Sequence, residues 1–277
     1  MVNMNRLNPA QRKAVIASLV EGNSIRATVR LTGVAKNTIV KLLVEAGAAC
    51  TKFQDETLRN LPSKRLQCDE IWSFCYAKRN NVTEEILEKN PDAGDVWTWT
   101  CLDPDSKLMV TWRVGGRSTT DSMEFIQDVA SRVSDRVQIS TDGLGQYVPA
   151  VVAAFGENVD LGQVIKQFAG SNNPGRYSPP VCVGCVNKTV IGNPDPKHIS
   201  TSYIERSNLT LRMSMRRYTR LTNAFSRKVE NHAAMVALFF MFYNFCRVHQ
   251  TLRVTPAMQA GISDHVWGVE EIIALLN

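Results

Sequence analysis

Three acidic residues, Asp69, Asp142 and Glu205, occupy positions from which a folded chain could bring their carboxylates together. Asp69 lies within an otherwise apolar stretch, RLQCDEIWSFCYA (65–77), where a buried carboxylate is costly unless it is paired or bound to a metal. Cleavage of a phosphodiester by two metal ions needs carboxylates from different elements that converge on cations about 4 Å apart. The three acids therefore suggest a metal-dependent site for phosphodiester chemistry.

The ordinary structural alternatives differ for each acid. Glu70 follows Asp69, and successive strand residues alternate between faces, so we expect only one of this pair to enter a given site. Asp142 follows the apolar stretch VQIST and precedes Gly143, which is a favourable place for a ligand at the end of a strand. Taken alone, an Asp-Gly turn is the simpler interpretation of Asp142.

Glu205 begins a stretch that is predicted to be helical. With about 100° of rotation per residue, the helix has an apolar stripe and a second, polar stripe. The apolar stripe holds Ile204, Leu211 and Met215, the polar one holds Glu205, Arg212 and Arg216, and Asn208 lies between them. This pattern places Glu205 beside the buried face, with arginines continuing its line along the helix.

Positive charge without acids characterises the segment from residue 206 to residue 228. Its seven basic residues are Arg206, Arg212, Arg216, Arg217, Arg220, Arg227 and Lys228. A solvated basic face is the ordinary explanation, but such a run repels itself unless a polyanion lies nearby. The whole chain carries 32 Lys and Arg against 26 Asp and Glu, a net charge of +6, which is a weaker signal for nucleic acid.

The first fifty residues predict three short helices. Asn8-Pro9 is a helix start signal, and Gly33 allows a tight turn before the third helix, AKNTIVKLLVEAG. Two helices, a turn and a helix with a polar, basic start are typical of a helix-turn-helix, whose second helix enters the major groove of DNA. The candidate DNA-binding residues are Lys36, Asn37, Thr38 and Lys41. A three-helix dimerisation or packing module is the alternative.

The remaining pattern predicts an α/β (α+β) fold with a mixed sheet flanked by helices. Strands are expected at 65–77, 95–103, 107–115 and 136–141, the second and third as a hairpin, with helices at 119–133, 147–155 and from about 200 to 249. Residues 51–64 indicate a linker, and residues 169–199, which are rich in Gly, Pro and Asn, indicate a long irregular segment.

Cysteine usage and the lack of an export signal predict a cytoplasmic protein with reduced thiols. Only Cys182 and Cys185 have the spacing of metal ligands, and His198 is a distant third candidate. A zinc site needs about four ligands, so we expect two small residues in a loop and assign no zinc. The longest apolar run, 233–243, is short of the ~20 residues of a membrane span and predicts a core helix.

Four segments resemble the DDE transposases of bacterial insertion sequences, in the branch typified by the first-described insertion sequence. They are QCDEIWSFCYAK, STDGLGQY, YIERSNLTLRMSMRRYTRLTNAFSRKVENH and YNFCRVHQTLRVTPAM. This branch is similar to retroviral integrases, and the resemblance covers nearly the whole chain. It implies an RNase H-like core in which Asp69, Asp142 and Glu205 are the catalytic, metal-binding triad for Mg²⁺, with Mn²⁺ as a substitute.

The residue patterns predict a helix-turn-helix domain at 1–50 and a linker at 51–64, and the resemblance implies a catalytic domain at 65–277, with a loop insertion at 169–199 and C-terminal helices. The triad separations are 142 − 69 = 73 and 205 − 142 = 63 residues. The second separation exceeds that of retroviral integrases, and the inserted loop accounts for the excess.

The implied activity is recognition of the element's ends, Mg²⁺-dependent strand cleavage and attack of the freed 3′-hydroxyl on target DNA. Its partners are double-stranded DNA and further copies of the chain, in a dimer or larger assembly. The expected contacts to DNA are Asn208, Arg212, Arg216, Arg217 and Arg220, with Arg247 and His249 of a C-terminal motif. Two alternatives remain, namely a catalytically inactive DNA-binding regulator and a nuclease without strand-joining activity.

Overall fold

The computed structural model describes residues 7–168, 182–219 and 223–276. Its helices are α1 (Pro9–Val20), α2 (Ile25–Thr32), α3 (Lys36–Thr57), α4 (Glu84–Lys89), α5 (Thr119–Ala130), α6 (Tyr147–Phe155), α7 (Ser202–Ser214), α8 (Val229–Met241), α9 (Pro256–Gln259) and α10 (Val269–Ala274). Its strands are β1 (Arg65–Cys75), β2 (Gly94–Leu102), β3 (Met109–Gly115), β4 (Val137–Asp142), β5 (Val159–Phe168) and β6 (Cys182–Ile191).

The six strands form one mixed sheet in the order β3-β2-β1-β4-β5-β6. The first three strands form an antiparallel meander, in which β2 and β3 are the predicted hairpin. Strands β1, β4 and β5 run parallel, and β6 returns antiparallel along β5. This arrangement confirms the predicted fold class, an α/β fold with a mixed sheet flanked by helices.

Helices cover both faces of the sheet, and the alternation of β2 shows which helix takes which face. Trp99 is fully buried against Phe125 of α5 and Tyr147 of α6. Its neighbours Thr98 and Thr100 point to the other face, where Thr100 contacts Asn208 of α7. Strand alternation thus divides the helices into an α5/α6 layer and an α7 layer.

The N-terminal helices begin where the sequence predicts. The side chain of Asn8 accepts a hydrogen bond from the Gln11 amide in a capping box that starts α1. Gly33 ends α2 in the left-handed region, at φ 70°, which a glycine adopts without a steric penalty.

Helix α3 differs from the prediction, because it continues through Thr57 and so occupies half of the expected linker, 51–64. Burial explains the extension: Cys50 and Gln54 lie in the core, and the Gln54 side-chain amide donates to the Ala237 carbonyl of α8. Tertiary packing of α3 on α8 thus outweighs the polar composition of the segment. The division into separate domains stays a prediction.

A buried amide ties the C-terminal helices to the edge of the sheet. The helical turn Phe242–Cys246 continues α8, and its Asn244 side chain accepts from the Met109 amide at 3.0 Å and donates to the Met109 carbonyl at 2.9 Å. Asn244 also donates to Gln54 of α3. One side chain therefore satisfies backbone groups at the β3 edge and connects three elements.

The region from 159 to 199 contains two strands that the sequence analysis did not predict. β5 was not recognised, and residues 182–191 form β6 although the segment 169–199 was expected to be irregular. Cross-strand pairing with β5 accounts for the difference, because β propensity depends on the partner strand. Residues 169–181 of the expected loop lie outside the described residues.

The long C-terminal helix prediction is only partly right. Helix α7 ends at Ser214 and a 3-10 turn follows at Arg216–Tyr218, so Arg216 does not continue the helical stripe of Glu205. The apolar run 233–243 lies in α8 and the turn after it, with most of its side chains in the core. No helix among the described residues has both the length and the apolar character to cross a membrane.

We expect Gly47→Ala to destabilise the protein, since a Cβ at this position of α3 would lie 2.5 Å from the Cα of Ala234. The two helices must then separate. Overpacking costs about 1–3 kcal/mol, which we expect to exceed the ~1 kcal/mol that Ala gains over Gly in a helix. Urea unfolding measures the change. Ala48→Ser, at an exposed neighbour on α3, should change stability by less than about 0.5 kcal/mol, and equal stability of both variants would contradict the packing.

Candidate metal centre

The parallel pairing of β1 with β4 brings Asp69 and Asp142 together. Gln67 pairs with Ser140, an offset of 73 residues, and the same offset places Asp69 level with Asp142. Both strands run toward the same edge of the sheet, and Asp142 is the last residue of β4. The two carboxylates therefore meet where open sheets bind their ligands.

Glu70 joins this pair, contrary to the expectation that only one of Asp69 and Glu70 could reach a common site. Single carboxylate oxygens of Asp69, Glu70 and Asp142 all lie within 4.8 Å of one another. Alternation itself holds, because Asp69 contacts Asn208 of α7 whereas Glu70 contacts Tyr147 of α6. The prediction failed because Asp142 ends its strand, where side chains from both faces can reach it.

Firm contacts hold Glu70 in place. Its side chain is 3% exposed; one carboxylate oxygen accepts from Arg117 at 2.5 Å, and the other accepts from the Tyr147 hydroxyl at 3.1 Å. The Arg117 guanidinium also stacks over the Trp97 ring, with 4.4 Å to the ring centre. Glu70 is thus oriented by two partners that leave it next to Asp142.

Side-chain hydrogen bonds connect helix α7 to β1 beside the cluster. The Gln67 side-chain oxygen accepts from the backbone amides of Tyr203 and Ile204, both at 3.0 Å, and so caps the start of the helix. One turn farther on, Asn208 donates to the Asp69 carboxylate at 2.8 Å. Glu205 lies between these two anchors.

Lys166 connects Glu205 to the two aspartates. Its ammonium group, near the end of β5, lies 2.8 Å from the Glu205 carboxylate, and Thr201 donates to the same oxygen at 2.5 Å. Partial burial disfavours the charged ammonium, but the hydrogen bond to Glu205 and the charges of Glu205, Asp69 and Asp142 raise the pKa of Lys166. One lysine is therefore close enough to interact with all three predicted acids.

Burial and electrostatic repulsion together raise the pKa values of the cluster. Burial, followed by the charges of Glu70 and Asp142, raises the pKa of Asp69 to about 7. Burial and the charge of Asp142 also raise the pKa of Glu70, although Arg117 opposes the shift. The site therefore binds either protons or added positive charge near neutral pH.

These donors fit a hard divalent cation. Asp69, Glu70 and Asp142 offer only oxygen ligands, which Mg²⁺ and Mn²⁺ prefer. The raised pKa of Asp69 indicates that its ionised carboxylate is unfavourable here, and a bound cation would relieve the repulsion from its acidic neighbours. Asp69, Glu70 and Asp142 are the residues placed to hold the ion, whereas Glu205, which is paired with Lys166, lies outside this group.

The predicted DNA contacts of the helix-turn-helix lie at the start of α3. Lys36, Asn37 and Lys41 are exposed there, and Thr38 is half-buried. The side chains can therefore be reached from solvent, and their role in DNA binding stays a prediction.

The predicted contacts on and after α7 have different environments. Asn208 is buried and bonded to Asp69, so it orients a carboxylate. Arg212 is half-buried on α7, and Arg216 is exposed. Arg217 points inward, donating to Ser226 and to the Asn231 carbonyl, and burial lowers its pKa to about 10. Arg220 lies outside the described residues.

The C-terminal candidates lie close to the start of α7. Arg247 is exposed, whereas His249 is half-buried. Burial and the positive charges of Lys107 and Arg247 lower the pKa of His249, and Lys107 lies over the Tyr203 ring of α7 at 3.5 Å. His249 therefore belongs to a basic group beside the first turn of α7.

No protein-family model matches the chain, and no curated protein matches it. Among solved structures, the piggyBac transposase synaptic complex with hairpin DNA is similar at a TM-score of 0.38 and 11% identity. The match covers 97% of this chain and 69% of that chain. A likeness this slight carries no argument about function.

Replacing Asp69 by Asn should stabilise the metal-free protein as the pH rises. The folded-state pKa of Asp69 is raised, so its contribution to stability is present at low pH and is lost as the pH rises through about 7. Between pH 5 and pH 8 the advantage of the Asp69→Asn variant over the wild type should grow by about 1–3 kcal/mol. Urea unfolding in EDTA measures it. A constant difference, equal to that of the exposed control Asp92→Asn, would refute the raised pKa of Asp69.

Replacing Lys166 by Gln should tighten the binding of Mn²⁺, because the lysine competes with the ion for Glu205 and for the field of the aspartates. Both side chains of the ion pair are more than a third exposed, so the pair contributes at most about 1 kcal/mol and the dissociation constant should fall by about two- to five-fold. Calorimetric titration measures it. Lys166→Arg keeps the charge, and Lys188→Gln is the control on β6; unchanged or weaker binding by Lys166→Gln would contradict the competition.

Proposed function

We propose that the chain is a DNA transposase of the DDE type, in the branch of bacterial insertion sequences. The observation that carries the proposal is the carboxylate cluster of Asp69 and Glu70 from the middle of β1 and Asp142 from the end of β4, with Glu205 of α7 linked to it through Lys166. The triad implied by the resemblance has one acid on each of two adjacent parallel strands and a third acid on a following helix. The proposed substrate is double-stranded DNA, and the proposed cation is Mg²⁺.

The reaction would consist of two in-line displacements at phosphorus. Bound divalent cations would activate the attacking oxygen and stabilise the leaving oxygen. Asp69 and Asp142 would hold the metal, and Glu205 would complete the site after Lys166 releases it. Asn208 keeps Asp69 in one orientation through its 2.8 Å hydrogen bond. In the first step water would attack the phosphodiester at the element's end, and the element's 3′-oxygen would leave as a hydroxyl. In the second step this 3′-hydroxyl would attack a phosphodiester of the target DNA, and the 3′-oxygen of the target strand would leave.

The basic residues would bind the DNA in two places. Lys36, Asn37, Thr38 and Lys41 would contact the element's ends, since polar and basic residues at a helix start suit phosphates and base edges. Arg212, Arg216, Arg247 and His249 would hold phosphates near the cluster. Arg217 would act indirectly, because its guanidinium is bonded to Ser226 and to the Asn231 carbonyl inside the fold. A dimer or larger assembly would pair the two ends.

Strand-transfer assays on the DNA that flanks the gene test the proposal. We expect the wild type to nick one element end and join it to target DNA in Mg²⁺. Asp69→Asn, Asp142→Asn and Glu205→Gln should each lower both steps by at least about 100-fold, because each removes a carboxylate that would hold the cation needed for the displacement. The exposed controls Asp92→Asn and Glu88→Gln should keep wild-type rates.

The same assay separates the alternatives. Cleavage without joined product would indicate a nuclease that does not join strands. Specific DNA binding with no cleavage in Mg²⁺ or Mn²⁺ would indicate a regulator that keeps the fold. Wild-type rates for Asp69→Asn or Glu205→Gln would overturn the assignment of the catalytic residues.

A further inference from the structure

The pair Cys182 and Cys185 lies on β6, at the open edge of the sheet. β6 is the last strand in the sheet order and pairs only with β5 among the described strands. Both cysteines are exposed, whereas Cys50, Cys68, Cys75 and Cys101 are buried and Cys246 is half-buried. These two thiols thus differ from the others in being available to a ligand.

A β-bulge makes the two thiols converge. Residues three apart on a regular strand point to opposite faces. Here Cys182 pairs with Phe168 and Cys185 pairs with Lys166, because the register shifts by one residue between Gln167 and Phe168. The partners of the two cysteines are two residues apart on β5, so both thiols point to the same face.

The distance between the sulfurs matches a pair of metal ligands. The Sγ atoms of Cys182 and Cys185 lie 4.0 Å apart. In a tetrahedral zinc site with Zn–S bonds of about 2.3 Å, two sulfurs are about 3.8 Å apart. A Cys-x-x-Cys spacing is also that of structural zinc sites. The pair therefore has both the spacing and the separation of two ligands to one zinc ion.

The described part of the chain does not supply the other two ligands. Among the described residues, Asp69, Glu70 and Asp142 form the group of three or more His, Cys, Asp or Glu with converging ligand atoms, and the cysteine pair has no third member. The sequence of 1–6, 169–181 and 220–222 contains none of these four residue types. Two thiolates alone do not close a structural zinc site.

We propose that Cys182 and Cys185 form half of a Cys₄ zinc site that a second copy of this chain completes. A two-fold axis beside the edge of β6 brings the identical pair of the other copy onto the same ion and gives four thiolates. The strand also carries exposed Val183, which lies between the two cysteines in sequence, is 64% accessible and would pack at the contact between the copies. The occupant is a second copy because the two halves are then self-complementary.

The zinc site would adjoin the candidate metal centre. Cys185 is the cross-strand partner of Lys166, which is bonded to Glu205. An ion that joins two copies at β6 would therefore fix the end of β5 that carries Lys166. The proposed zinc ion differs from the catalytic cation, since its ligands are sulfurs and those of the cluster are oxygens. The inference does not depend on the proposed function.

Metal analysis and mass measurement on the full chain without DNA test the proposal. Purified with reductant and then given excess Zn²⁺ and desalted, the protein should hold about 0.5 zinc per chain and have twice the chain mass of 30.9 kDa by light scattering. Cobalt in place of zinc should give the intense visible and near-ultraviolet bands of tetrahedral cobalt with four thiolates. Cys182→Ser and Cys185→Ser should each abolish the bound metal and the dimer, whereas Cys246→Ser should retain both.

Three results would overturn the proposal. One zinc per monomer, with a cobalt spectrum of only two thiolates, would indicate a site within one chain. A monomer without zinc would show that the pair does not bind the metal under these conditions. A dimer that survives both cysteine substitutions would show that another surface joins the copies.

Discussion

Parallel pairing of β1 with β4 is the constraint on which the candidate site depends. The register of these strands equals the sequence separation of Asp69 and Asp142, so the two carboxylates come level at one edge of the sheet. Glu70 then enters the same space because β4 ends there. Three acids within 4.8 Å repel one another, and the rest of the site is arranged around that repulsion.

The surrounding side chains offset this charge in different ways. Arg117 neutralises Glu70 from the α5/α6 side, and Lys166 pairs with Glu205 on the α7 side. Asn208 donates to Asp69 without adding charge. Asp69 keeps a raised pKa despite these contacts, which leaves it as the group that a divalent cation would stabilise most. Lys166 supplies a positive charge to Glu205 and, at longer range, to Asp69 and Asp142.

Much of this arrangement could be predicted from the sequence. Three local signals identified the candidate acids. Asp69 lies in an apolar strand, Asp142 precedes a glycine at the end of a short strand, and Glu205 lies at the start of a basic helix. The sequence predicted where the helices begin at Asn8-Pro9 and after Gly33, because helix capping and left-handed turns depend on neighbouring residues alone. Local signals of this kind do not depend on distant partners.

Other features depend on contacts that a sequence pattern does not contain. Lys166 was not predicted as a site residue because β5 was not predicted. A lysine near the end of a strand has no sequence pattern that marks it as part of a site. The extension of α3 through Cys50 and Gln54 depends on packing against α8. The convergence of Cys182 and Cys185 depends on a bulge against β5, so the pair was assigned to a loop. Arg216 was placed on the helical stripe because the end of α7 at Ser214 has no glycine or proline to mark it.

We propose that a divalent cation binds between Asp69 of β1 and Asp142 at the end of β4. Anomalous scattering from a crystal of the protein soaked in Mn²⁺ tests this claim most directly. We predict a manganese peak in contact with the carboxylates of Asp69 and Asp142, and none there in crystals of Asp69→Asn. Crystals of the wild type at saturating Mn²⁺ with no peak at the cluster, or with manganese bound only elsewhere, would contradict the account.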